Sequence, residues 1–298
     1  MTQVALGIAA LVNKGYSDDK CPFCGGAEHE FPSKKDRETT KVVSKPEQLA
    51  CSMSGGANDR RGNDQCGSGQ YAYTLARHHL ISAKQCYAKL SPLVRMGSLV
   101  GYDVNDPKNG IGLPTTHYTL KYPKTGGRKY GDLGEADKET VAFAIMKELK
   151  AQWHVGHHSF AYQIPFENQD SGSAAKEDWG DEVDNKEPVG HETGYDVQII
   201  SKLIDLMLLL FNNKQPICKE QDVSNDVKQK FIEVSDDIRT DLEKFQTDPS
   251  QSKLYVSQKA YDYANSGDRA AKRTISEISG GDEPDPPSTS RPKKKQRR

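Results

Sequence analysis

The stretch IISKLIDLMLLLF, Ile199 to Phe211, is the most apolar part of the chain, and what it can become limits everything built around it. It is too short to cross a bilayer and carries Lys202 and Asp205 inside it, so it reads as a helix buried in a protein core. Ile200, Leu203, Ile204 and Met207 fall at helical spacing along it. A second core helix follows, opened by Ser224 or Asn225 as a cap and repeating Val227, Phe231, Val234 and Ile238 with charges between. Upstream, YAYTLARHHLI reads as a strand and NGIGLPTTHYTL as a glycine-containing turn into an extended segment. EADKETVAFAIMKELKAQWH reads as an amphipathic helix with Val141, Ile145 and Leu149 on one face. The pattern is that of an α+β protein.

That core is modest for 298 residues. A hydrophobic fraction of 35% against 28% charged residues, with a mean hydropathy of -0.78, describes a soluble globular protein with long polar loops and a poorly ordered end. Residues 1–70 read as an irregular amino-terminal segment, 71–163 as a compact unit, 164–194 as an acidic loop, 195–278 as a helical part packed on that unit, and 279–298 as a tail ending in a basic cluster. There is no internal repeat. The run MTQVALGIAALVNK has no basic residue before its apolar stretch and no evident cleavage site, so no signal peptide and no membrane insertion are expected. Six cysteines are too sparse for a disulfide-framed scaffold, which points to folding in a reducing cytoplasm. A net charge of -1 excludes a polyanion-binding role resting on total charge, so any nucleic-acid surface must come from local clustering of Lys and Arg.

Histidine is where the chemistry gathers. His78 and His79 are adjacent in the first strand; GYDVNDPKNGIGLP follows with Asn105 and Asn109; and WHVGHHSFAY places His154 and His158 at i, i+4. On a helix that spacing puts both rings on one face, within reach of a single metal ion. Without such company an adjacent His pair is simply one core-facing and one solvent-facing ring on a strand. With it, the order is that of a ββα-metal site: one tandem His joins the helical pair as a ligand, the other is free to act as a base, and an Asn ties the strands together.

RHHLI, GYDVNDPKNGIGLP and HVGHHSFAY, in that order, resemble the tandem-His strand, Asn-Gly-Leu-Pro turn and H-x-G-x-H helix of the AHH-type nuclease toxins. These belong to the HNH/endonuclease VII superfamily and are found in bacterial polymorphic and type VI secretion systems. The resemblance covers roughly residues 71 to 162. It implies an HNH-like core in which His78, His154 and His158 hold a divalent metal (Mg²⁺, Zn²⁺ or Ni²⁺), His79 is the general base and Asn109 fixes the His-bearing loop. GHETGYD offers His191, with Tyr195 after it, as the alternate final ligand. The implied reaction is hydrolysis of DNA phosphodiesters. A toxin of this kind further implies a cognate immunity protein, contact with secretion-system components, and a path from the bacterial cytoplasm where it is made, without a signal peptide, to a target-cell cytoplasm.

Phosphodiester hydrolysis needs an in-line water, a base for its proton, and positive charge at the scissile phosphate. A neutral imidazole, with an unperturbed pKa of about 6.5, is a competent base at cytoplasmic pH. Arg77, Lys84, Lys121, Lys124, Arg128 and Lys129 flank the motifs as phosphate-binding candidates or as a merely solvated face. CPFC, with Cys21 and Cys24, is a knuckle of the kind that supplies half of a structural zinc site, and Cys51 with Cys66 would supply the rest. His29 and Cys86 are rival ligands, and plain free thiols are the alternative. The tail residues Arg291, Lys293, Lys294, Lys295, Arg297 and Arg298 read as a nonspecific nucleic-acid tether or a solubilising end. Two other readings stay open: a noncatalytic zinc-stabilised DNA-binding or adaptor module, and the same fold acting as an RNase.

Overall fold

Thr2 opens the first helix, its hydroxyl accepting the Ala5 N–H at 3.2 Å, and α1 (Gln3–Asn13) buries Val4, Gly7 and Leu11. In the structure, a computed structural model that describes residues 2–27, 74–115, 128–154, 192–212 and 223–266, this helix lies on the apolar one read first from the sequence. The approach is close because Gly7 has no side chain: a Cβ there would meet Ile204 at 2.8 Å. The first residues are therefore helical, where the sequence was read as irregular.

The sheet has two strands among the described residues. β1 (Thr74–His79) and β2 (Gly110–Thr115) run antiparallel, with Thr74 opposite Thr115 and His79 opposite Gly110. The connection between them carries α2 (Ser91–Val100), which starts with Pro92 in its first turn, where no N–H is needed, and stops at Gly101, whose φ of 68° suits glycine. α3 (Glu135–Leu149) follows the sheet. α4 (Tyr195–Asn212), α5 (Val223–Thr247) and α6 (Gln258–Asn265) complete the described α-helices, a mixed helical and sheet architecture of the α+β kind.

Among the described residues the apolar side chains form two clusters. The larger joins α1, α2, α4, most of α5 and the end of the sheet, with Leu11, Leu80, Leu93, Ile200, Leu203 and Phe231 at its centre. The smaller joins α3 to α6 through Val141, Ile145, Trp153, Phe245 and Tyr263. α5 is long enough to serve both, giving Phe231 and Ile238 to the first and Phe245 to the second. The segment 252–257 braces the molecule between them. Gln152 donates to the Leu254 carbonyl at 2.9 Å and accepts from Val256 N at 3.0 Å, and the Ser257 hydroxyl donates to the Trp153 carbonyl at 2.6 Å. Tyr255 N–H donates to Thr193 O at 2.9 Å and Tyr195 N–H to Tyr255 O at 3.2 Å.

Three helices depart from the sequence expectation. α5 begins at Val223, so Ser224 and Asn225 lie inside the helix and do not cap it. α6 was not anticipated, although Ser257 accepts the Ala260 N–H at 3.3 Å as an ordinary cap. The third correction bears on the chemistry. α3 stops at Leu149, Lys150 takes a positive φ of 51°, and His154 follows in non-helical chain.

Candidate active site

Successive residues of a strand face opposite ways, and the tandem histidines use this: His78 is buried while His79 is half-exposed. The His78 ring lies between two others. Its centroid is 4.9 Å from that of His154, with the planes at 68°, and 4.8 Å from that of Tyr195, with the planes at 73°. His154 reaches this place because its N–H donates to the Pro114 carbonyl of β2 at 2.9 Å. The residues before it are gripped by the 252–257 brace. The helical i, i+4 geometry expected for His154 and His158 is thus replaced, at His154, by a backbone bond to the sheet, and His158 lies outside the described residues.

The separation of the two imidazoles can be compared with what one ion demands. With a metal–nitrogen bond of about 2.05 Å, each ring centroid sits about 3.2 Å from the metal, so two ligating rings are about 4.5 Å apart at a right angle and about 5.2 Å apart at the tetrahedral angle. The observed 4.9 Å falls between those limits. By ring separation His78 and His154 stand as close as two imidazoles on one ion, and as close as His78 stands to the Tyr195 ring in an edge-to-face contact. Among the described residues no group of three His, Cys, Asp or Glu side chains completes such a site. The expected third ligand, His158, and its alternate, His191, both lie outside the described residues.

The strand exit beyond the histidines is held on several sides. Asn109, 1% exposed, donates from Nδ2 to the carbonyls of Ile81 (3.1 Å) and Val104 (2.7 Å). Its Oδ1 accepts from Ile81 N–H (2.8 Å) and from the Ser235 hydroxyl of α5 (2.9 Å). Its own carbonyl accepts the Leu80 N–H at 2.8 Å. Arg239, also on α5, donates to the carbonyls of Lys108 (2.8 Å) and Gly110 (3.0 Å). On the other side the Tyr195 hydroxyl donates to the Leu80 carbonyl at 2.6 Å. Burial, reinforced by the neighbouring Cys86 and Asp196, holds the Tyr195 phenol well above its usual pKa, so it stays a donor.

His79 meets a different partner. Its Nε2 is 3.2 Å from Asn105 Oδ1, and Asn105 in turn donates from its backbone N–H (2.8 Å) and from Nδ2 (3.1 Å) to Asp103 Oδ1. In the sequence Asn105 stands in a turn-rich segment with no role of its own. The D-x-N spacing of Asp103 and Asn105 is a readable turn signal, whereas nothing marks Ser235 or Arg239 before the fold brings α5 alongside.

The remaining candidates are scattered. Lys84 is exposed; Arg77 lies in β1 opposite Gly112; Arg128 approaches Asp137 at 3.7 Å. Cys86 is fully buried, with Asp196 Oδ1 3.2 Å and Ser82 Oγ 3.0 Å from its sulfur. Burial first, then the Asp196 charge, pushes that thiol well above its usual pKa. Cys21 and Cys24 occupy a tight hairpin in which Cys21 N–H donates to Gly26 O (3.0 Å), Gly25 N–H to Cys21 O (2.9 Å), and Lys20 bridges Ala27. Gly25 supplies the positive φ of 66° that the turn requires. Burial raises the Cys21 thiol most, while the N–H groups of Cys24 and Phe23, aimed at its sulfur, pull the other way. Cys51, Cys66, Lys293, Lys294 and Lys295 lie outside the described residues. No helix among the described residues is long and apolar enough to cross a membrane. Comparison with protein-family models, with curated proteins and with solved structures returned no match.

Proposed function

We propose that the protein is a metal-dependent endonuclease of the AHH type that hydrolyses DNA phosphodiesters. The observation that carries the reading is the meeting of His78 and His154, from a strand and a distant segment, at a separation suited to one ion, beside a second histidine held by a different hydrogen-bond chain. A bound divalent ion would polarise the scissile phosphate and offset charge on the departing oxygen. His78 and His154 hold that ion, with His158 or His191 as third ligand. His79 takes the proton of the attacking water. Asn109 and Tyr195 fix the peptide on which both tandem histidines ride, so the two imidazoles keep their relative placement through turnover. Lys84 and Arg77 lend positive charge for the substrate backbone, and the basic tail tethers DNA.

The hairpin at Cys21 and Cys24 belongs to the same proposal as half of a structural zinc site, because a C-x-x-C turn supplies two sulfurs from one short segment. By resemblance, the protein works as a secreted antibacterial toxin made in the bacterial cytoplasm, paired with an immunity protein and acting in a target-cell cytoplasm.

The test is cleavage of supercoiled plasmid, and of RNA, by protein stripped of metal and refilled with Mg²⁺, Zn²⁺ or Ni²⁺. Nicking after refilling and none after stripping is the expected result. Retention of DNA with no cutting under any metal identifies a noncatalytic binding module, and cutting confined to RNA identifies an RNase.

A further inference from the structure

Asp103 and Asn105 stand behind His79 and are not used in the chemistry above. They nonetheless decide which of its two ring nitrogens carries hydrogen. Asn105 directs both its backbone N–H and its Nδ2 to the same Asp103 oxygen, at 2.8 and 3.1 Å. An ionised carboxylate only accepts, so the NH₂ end of the Asn105 amide faces Asp103 and the carbonyl end faces His79. That carbonyl oxygen, Oδ1, likewise only accepts. The ring atom 3.2 Å from it, Nε2, is therefore the donor. A neutral imidazole has one N–H, which leaves the lone pair on Nδ1.

The chain of bonds is held from below. Tyr102 stacks on Phe231 of α5 at 4.2 Å between ring centroids, and the next residue but one, Val104, gives its carbonyl to Asn109. Asp106 N–H and Asn109 N–H close successive turns onto Asp103 O (3.0 Å) and Asp106 O (2.8 Å). Asn105 is itself buried, so water competes poorly for its amide. The loop is preorganised before any substrate arrives.

We propose that Asp103 and Asn105 are positioning residues which lock His79 as the Nε2–H tautomer and so make Nδ1 the atom that accepts the proton of the attacking water. The tautomer rests on the Asp103–Asn105–His79 hydrogen bonds; the identity of the proton rests on the nuclease reading. Asp103 acts at one remove, by preventing the Asn105 amide from turning over. An Asn in this place, unlike a carboxylate, orients the ring without adding a negative charge that would hold the imidazole protonated.

The experiment has a structural arm and a kinetic arm, both on the full-length chain. Long-range ¹H–¹⁵N spectra of ¹⁵N-histidine-labelled protein, at a pH where imidazole is neutral, with His79 assigned by its loss in His79→Gln, report the tautomer directly. The wild type is expected to show Nε2–H only, and Asn105→Ala a mixture. In cleavage assays Asn105→Ala is expected to lower kcat by about 10- to 100-fold, the usual range for groups that orient a reacting residue, with KM for DNA and bound-metal content unchanged. A wild-type His79 in the Nδ1–H or mixed form overturns the inference, as does an unaltered tautomer in Asn105→Ala. Wild-type protein that cuts no nucleic acid overturns the nuclease reading instead, and the tautomer spectra still decide the positioning role.

Discussion

Replacing Asn109 with alanine tests how firmly the histidine-bearing strand exit is held. The side chain makes four hydrogen bonds, of 2.7 to 3.1 Å, to Ile81 N, Ile81 O, Val104 O and Ser235 Oγ. Each is worth about 1 kcal/mol net, but a buried group stripped of its partner costs about 1–3 kcal/mol. Ser235 keeps a bond to the Phe231 carbonyl at 3.3 Å, so it loses least. Ile81 N–H, the one donor left without a substitute acceptor, loses most. A total of about 3 kcal/mol is expected, close to the upper range for single substitutions. Asn109→Asp should cost at least as much, because it turns a carboxylate oxygen toward two carbonyl oxygens. Urea unfolding followed by circular dichroism measures both, with an unchanged denaturant slope required for the comparison. A loss below about 1 kcal/mol for Asn109→Ala would refute the reasoning, since water would then be replacing the side chain at no cost and the loop would not depend on it.

Three further outcomes are expected. Asp241 is buried enough to raise its carboxyl, but the bond from Lys244 (2.6 Å) and the charge of Lys202 (3.3 Å) outweigh that and hold its pKa below the usual value. Its folded pKa being the lower one, the stabilisation is present above the unfolded value of about 3.9 and fades as pH falls through the folded value, so Asp241→Asn should cost about 1 kcal/mol at pH 7 and nothing at the acid end of a pH series of urea melts. Cys21→Ser should remove tightly held zinc and lower the melting temperature without touching metal bound at His78; elemental analysis checks this, and protein purified with no zinc removes the structural-zinc proposal. Deleting residues 291–298 should weaken DNA binding most at low salt and flatten its salt dependence while leaving kcat at saturating DNA nearly unchanged, as read by filter binding across a salt series; an unaltered slope contradicts the tether.

How far the sequence could be read depended on whether the deciding contact was local. The faces of α4 and α5 were legible because Ile200, Leu203, Val227 and Phe231 recur at the helical period, and each is buried. β1 is legible in YAYTLARHHLI, whereas NGIGLP, which reads as a turn leading into an extended segment, already forms β2 from Gly110. The place of His154 is not legible. Its periodic surroundings argue for continued helix, but Lys150 in a left-handed conformation ends α3, and the Gln152 side chain and the Trp153 carbonyl bond to a segment about a hundred residues later. No local propensity announces such a stop, because tertiary hydrogen bonds supply it. The same holds for Ser235, which looks like one more polar residue on a helix until Asn109 lies against it. α1 carries only ordinary signals, Thr2 as a cap and Val4, Gly7 and Leu11 spaced as a helix face, in an apolar run that equally invites comparison with a leader segment.

The assignment of separate roles to the two adjacent histidines is tested most directly by measuring metal content and plasmid cleavage together on His78→Ala and His79→Ala, each checked for folding by circular dichroism. His79→Ala is expected to bind the divalent ion as the wild type does and to cut at least about 100-fold more slowly, the ordinary worth of a general base. His78→Ala is expected to lose both the ion and the cutting. If His79→Ala loses the metal while His78→Ala keeps it, or if His79→Ala cuts at the wild-type rate, the roles assigned to the pair are wrong.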